Sequence, residues 1–77
     1  MEFVAVSPKR TIRIEVDKVT LPGCMGNFTV LRNHAPLMSI LKKGKVIYGQ
    51  NGKIEEMEIE SGIAEIHHNK ITILTEQ

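Results

Sequence analysis

Hydrophobic and polar residues alternate along almost the whole chain. In "TIRIEV", Ile12, Ile14 and Val16 fall on one side and Arg13, Glu15 and Asp17 on the other, the period of a half-buried strand. The following "KVTL" puts Val19 and Leu21 in the opposite phase, so the chain needs a bulge or bend near Asp17-Lys18. "EFVAV" reads as an earlier strand closed off by Ser7-Pro8, because proline cannot continue a ladder. "NFTVL" is a further strand, and "KVIYG" is a short one, apolar on both sides. Asn51-Gly52 marks a tight hairpin, since both residues tolerate positive φ. "EEMEIE" then alternates cleanly, with Met57 and Ile59 inward and Glu56, Glu58 and Glu60 outward. Ser61-Gly62 interrupts, "IAEIH" resumes, Asn69-Lys70 turns the chain and "ITIL" ends it. No window carries a helical period. "APLMSIL" is expected to be irregular, between Pro36 and Lys43-Gly44. Short strands at this spacing predict an all-β antiparallel sandwich or barrel.

Composition narrows this further. The 77 residues make one domain, 1–77, near the size at which a single core leaves little net stability. Hydrophobic residues are 42% of the chain, but Phe3, Phe28 and Tyr48 are its only aromatics. A domain of this kind gains from a partner. The net charge is +1, which carries no nucleic-acid or membrane signature for the molecule as a whole. Charge is nonetheless segregated: Arg32, Lys42, Lys43, Lys45 and Lys53 precede Glu55, Glu56, Glu58, Glu60 and Glu65. The single cysteine, Cys24, has no partner for an internal disulfide and fits a reducing compartment. The amino terminus lacks the pattern of a signal peptide, and no run approaches the ~18 apolar residues of a membrane span. A soluble, cytosolic chain is expected, with no direct membrane insertion.

None of the reactive residue types forms a convincing site. Cys24 and His34 would need hydrogen-bond contact to act as nucleophile and base, and nothing in the spacing establishes it. His67 and His68, adjacent on a predicted strand, are expected to point to opposite faces, and no zinc spacing is present. "LPGCMG" is followed by a strand and not by the helix N-terminus a phosphate loop uses. Its glycines are expected to serve a turn. Glu56, Glu58 and Glu60 share a solvated face, where nothing raises a carboxyl pKa. No catalytic residue, metal or cofactor is expected. An alternative, a small β-barrel module for nucleic acid or ligand, would use Arg32, Lys42, Lys43 and Lys45. It lacks the interleaved aromatics that stack bases.

One stretch is more specific. "LPGCMGNFTVLRNHAPLMSILKKG", residues 21–44, resembles the pattern LPG-x-x-G-x-F/L-G-V/I-L-P-x-HAPL-x-x-x-L-x-x-G. That pattern belongs to the amino-terminal domain of the epsilon subunit of F-type ATP synthases, called delta in mitochondria. "ESGIAEIHHNKITILTE" resembles the family's second signature, and the spacing holds from Leu21 through Leu74. Thr29, Arg32 and Ser61 replace a usual glycine, proline and glycine. Asn27 stands where relatives often carry an acid.

The resemblance implies a flattened antiparallel β-sandwich of about ten short strands. It also implies a non-catalytic rotor subunit of the central stalk, linking the gamma subunit to the c-ring and coupling proton transport to ATP synthesis. Such a subunit sits peripherally on the cytoplasmic face of a bacterial inner membrane, through the ATP synthase complex. Carried over residue by residue, Met25, Gly26, Asn27, Phe28 and His34 would meet the polar loops of the c-ring. Ala35, Pro36, Leu37 and Met38 would meet gamma. Family members usually continue into a carboxy-terminal helical hairpin; with the sequence ending at Gln77, none is expected here. Within the stretch, Met25, Phe28, Leu37 and Met38 are expected to offer apolar contact, while Leu21, Val30 and Leu31 pack inward.

Overall fold

A computed structural model describes residues 1–76. They form nine strands: β1 (Glu2–Val6), β2 (Thr11–Glu15), β3 (Lys18–Gly23), β4 (Gly26–Leu31), β5 (Leu37–Leu41), β6 (Gly44–Gln50), β7 (Lys53–Ile59), β8 (Ser61–His67) and β9 (Lys70–Glu76). The all-β expectation holds. One expected element differs: Leu37–Leu41, read as irregular, is a strand paired with β8 from Leu37↔Ile66 to Leu41↔Gly62. Pro36 is compatible with this because it lies just outside the ladder, where its missing N–H removes no bond.

The strands make one continuous sheet in the order β2-β1-β9-β8-β5-β3-β6-β7, with β4 on the free side of β3. The sheet doubles over at a narrow joint, where β5 and β3 share the single register pair Gly23↔Leu41. Cys24 N donates to Ile40 O at 3.1 Å and Lys42 N to Pro22 O at 2.9 Å across this joint. Pro22, with no N–H of its own, stands where β3 changes neighbours from β6 to β5. The result is a first layer β2-β1-β9-β8-β5 facing a second layer β4-β3-β6-β7. All neighbouring pairs are antiparallel except β1 and β9, which come from the two ends of the described chain and run parallel.

Both layers turn their alternate apolar residues into the space between them. Phe3, Ala5, Ala64, Ile66, Ile71 and Ile73 come from the first layer; Val19, Leu21, Val30, Val46, Tyr48 and Ile59 come from the second. Phe3 and Tyr48 meet across the layers with ring centroids 5.0 Å apart. The phase shift anticipated at Asp17 is present. Val16 and Val19 are both buried, and the intervening bend is pinned by Asp17 N donating to Gly49 O at 2.7 Å. Burial of this apolar set, at roughly 25 cal/mol per Å² removed from water, is the main term favouring the fold.

Candidate functional surface

The sandwich has two outer faces, and they differ. On the first layer the register aligns Ile40, Ile63, Leu74 and Val6 side by side across four strands. One step along each strand, the next row is Met38, Glu65, Thr72 and Val4. Ile40, Ile63 and Leu74 are 47–65% exposed and Met38 beside them in the next row is 68% exposed, so this apolar end of the face lies open. The row beyond is polar, with His67, Lys70 and Glu2 in register. The face is thus graded from apolar at one end to charged at the other.

The second layer's outer face alternates differently. Thr29 and Thr20 pair through their hydroxyls at 2.8 Å. Lys45 Nζ meets Glu56 Oε1 at 3.1 Å. The exposed Leu31 and Ile54 are separated by Lys18 and Gly49. Only the first layer therefore presents contiguous exposed apolar side chains, of the sort that marks an interaction surface.

The apolar row runs on around the edge of β5 to the β3–β4 hairpin. Met25, at the tip of that hairpin, is fully exposed. It shares a shallow depression with Gly23, Cys24, Gly26, Phe28, Met38 and Ile40. The turn is built by Gly26, whose φ of 128° only glycine adopts readily. Gly23 is there for space: a Cβ on it would lie 2.8 Å from Gly26 O and 2.9 Å from Phe28 Cε1.

The residues singled out from the sequence divide into two groups. Met25, Gly26 and Phe28, expected to face one partner, adjoin Met38, expected to face another. His34 lies instead with Asn33, Ala35, Pro36, His68 and Asn69. Met25 at the hairpin tip and His34 lie beyond opposite ends of β4, whereas Pro36 of the second group and Met38 of the first line one shallow depression with Leu37. Asn27 is exposed on β4 next to the turn, and Leu37 is half-open on β5. Phe28 is only partly available, since it points inward and packs against the core. Leu31, expected inside, is exposed because it follows buried Val30 and so points to the other face.

The second group is held by an asparagine pair. Asn33 N donates to Asn69 Oδ1 at 2.8 Å, and Asn69 Nδ2 donates to Asn33 Oδ1 at 3.2 Å. Both residues take positive φ, as asparagine does more readily than most. His68 also has positive φ (52°), which turns its ring toward His67, with centroids 3.9 Å apart. The expectation that these two rings point to opposite faces therefore fails, because the strand ends at His67 and strand alternation stops there. Among the described residues no group of three or more His, Cys, Asp or Glu is placed to hold a metal ion.

Other chemistry is set aside by geometry. Cys24 and His34 stand at opposite ends of β4, out of reach of one another. Of the basic residues considered for nucleic acid, Arg32 is engaged by Asp17 at 3.3 Å and Lys45 by Glu56. No helix of the described residues is long and apolar enough to cross a membrane. Sequence reasoning missed Ile40, Ile63 and Leu74 as surface residues; alternation signals the face of a strand but not which face is covered.

Comparison with known proteins bears on this surface. The family model "ATP synthase, Delta/Epsilon chain, beta-sandwich domain" matches residues 1–77. The ATP synthase epsilon chain of Desulfitobacterium hafniense is 40% identical over 72 residues, covering 92% of this chain and 54% of that one. The epsilon chain of Caulobacter vibrioides is 39% identical over 77 residues, covering 99% and 90%. The chain spans about half the length of the Desulfitobacterium and Geobacter relatives it matches. Among solved structures, a chain of the Euglena gracilis mitochondrial ATP synthase OSCP/F1/c-ring superposes with a TM-score of 0.89 at 21% identity, over 95% of this chain and 48% of that one. A chain of the Tetrahymena thermophila mitochondrial ATP synthase central stalk/c-ring gives 0.85 at 11% identity, over 99% and 63%. At those identities the likeness is one of fold.

Proposed function

The chain belongs to the family of ATP synthase delta/epsilon-chain beta-sandwich domains, and from that premise we propose that it is a non-catalytic part of the rotor of a proton-translocating ATP synthase. In this reading it joins the gamma subunit to the c-ring, on the cytoplasmic face of a bacterial inner membrane, and passes ring rotation to gamma. Its role is mechanical: it binds two partners on a stiff scaffold and supplies no reacting group.

The observation that carries the reading is the asymmetry of the two outer faces. A rotor adaptor must hold one partner through many turns, which calls for a contiguous apolar contact, and the first layer offers one in Met38, Ile40, Ile63 and Leu74. We assign gamma to that face, with Leu37 at its edge. The protruding turn Met25–Gly26–Asn27 is assigned to the c-ring loops, with Phe28 bracing it from the core side. His34 and Ala35 lie past the other end of β4, and Pro36 beside them also lines a shallow depression with Leu37 and Met38 at the edge of the gamma face. Asn27 has no charge, so any ring contact it makes is by hydrogen bond.

Co-elution with the cognate gamma subunit at micromolar concentration tests this. Ile63→Glu on the first layer is expected to abolish the complex, and Thr29→Glu on the second to leave it intact. The reverse pattern would move gamma to the second layer. Absence of any complex with the unmodified chain would sink the rotor reading.

A further inference from the structure

Each asparagine of the chain is a potential site of backbone chemistry, and the structure treats the four very differently. Asn33 and Asn69 have their side chains bonded to one another. Asn27 lies within β4, and the next residue, Phe28, stands in register with Leu21 and packs against the core. Asn51 is different. It is exposed at the tip of the β6–β7 hairpin, with φ 54°, and is followed by Gly52 at φ 82°. A Cβ placed on Gly52 would meet nothing within 4 Å, so the turn stands open to solvent on that side.

We propose that Asn51-Gly52 is a site of spontaneous covalent modification, converting Asn51 to a mixture of isoaspartate and aspartate. The Gly52 backbone nitrogen attacks Asn51 Cγ, and a new N–C bond closes a five-membered succinimide. The Cγ–Nδ2 bond breaks and ammonia leaves, carrying the proton lost by the Gly52 amide. Water then opens the ring at either carbonyl, giving aspartate or isoaspartate. Glycine favours this step because no side chain shields its nitrogen.

The surroundings make the change consequential. Asn51 N donates to Asp17 Oδ2 at 3.2 Å, while Asp17 Oδ1 accepts from Arg32 Nη2 at 3.3 Å. Asp17 thus ties the hairpin tip, the end of β4 and the bend before β3 together. Either product places a second carboxylate beside Asp17, and isoaspartate also adds a backbone carbon to a two-residue turn that has no slack. The same hydrogen bond to Asp17 restrains the turn in the left-handed conformation and must loosen for the attack, so it slows the reaction.

The test is incubation of the purified chain in mildly alkaline buffer, with peptide mapping by mass spectrometry and enzymatic methylation of isoaspartate. Asn51 is expected to convert well ahead of Asn27, Asn33 and Asn69, and Asn51→Gln to remove the isoaspartate signal. Asp17→Asn, checked for retained sheet signal by circular dichroism, is expected to convert Asn51 several-fold faster. Conversion at another asparagine first, or none at Asn51 while the unfolded chain converts, would overturn the proposal. Asn51→Asp should lower the melting temperature by several degrees; no change would remove the consequence assigned to Asp17.

Discussion

Two single residues sit where their chemistry disagrees with their surroundings. Thr75 is buried beside Leu41 and Gly62, and its hydroxyl has no hydrogen-bond partner among the described residues. An orphaned buried hydroxyl costs about 1–3 kcal/mol. Thr75→Val keeps the shape and removes the polar atom, so we expect it to raise stability by about 1 kcal/mol, read as a higher denaturant midpoint with an unchanged slope. Tyr48 is the second case. Burial pushes its phenol above its ordinary 10.0, the Glu55 carboxylate adds to this, and the Arg10 charge opposes it. The neutral phenol is thus favoured by folding. That contribution is whole below the unfolded-state pKa and is lost as pH rises through the folded one. A tyrosinate absorbance titration of this single-tyrosine chain is expected to have its midpoint above 10.0 in the folded state and to move down on unfolding.

At the scale of elements, the weak point is the joint where the sheet doubles over. Only Gly23↔Leu41 and the two flanking hydrogen bonds join β3 to β5. Gly23→Ala would drive a methyl to 2.8 Å from Gly26 O and against the Phe28 ring. It should destabilise by about 1–3 kcal/mol, the usual cost of overpacking. Faster amide exchange at Cys24 and Lys42 than in β8 and β9 would confirm that the damage is local. Most of the element map was legible in advance. The Asn51-Gly52 hairpin, the bend at Asp17 and the alternation of β2 and β7 rest on local signals, and all are present. Strand β5 was not legible. In "LMSIL" the outward positions Met38 and Ile40 are apolar and the one polar residue, Ser39, is on the inward side in register with Ala64, so polarity does not mark its faces.

Considered as a whole, the molecule is a small sandwich whose outer faces differ in chemistry. Exposed positions tolerate change, so Ile63→Glu should alter the unfolding free energy by no more than about 0.5 kcal/mol while abolishing co-elution with gamma. A large loss of stability instead would mean that Ile63 belongs to the fold and not to an interface. The sequence by itself determined the strands other than β5, the turns, most of the inward residues and the family, because period-two patterning, turn chemistry and the "HAPL" stretch are local properties of the chain. Only the tertiary structure decided that Met25 adjoins Met38 while His34 stands apart, that β1 pairs in parallel with β9, and that Ile40, Ile63 and Leu74 form one open row. Those facts depend on which strands become neighbours. Alternation fixes two faces for every strand, but which face is covered is set by pairing between residues far apart in the chain.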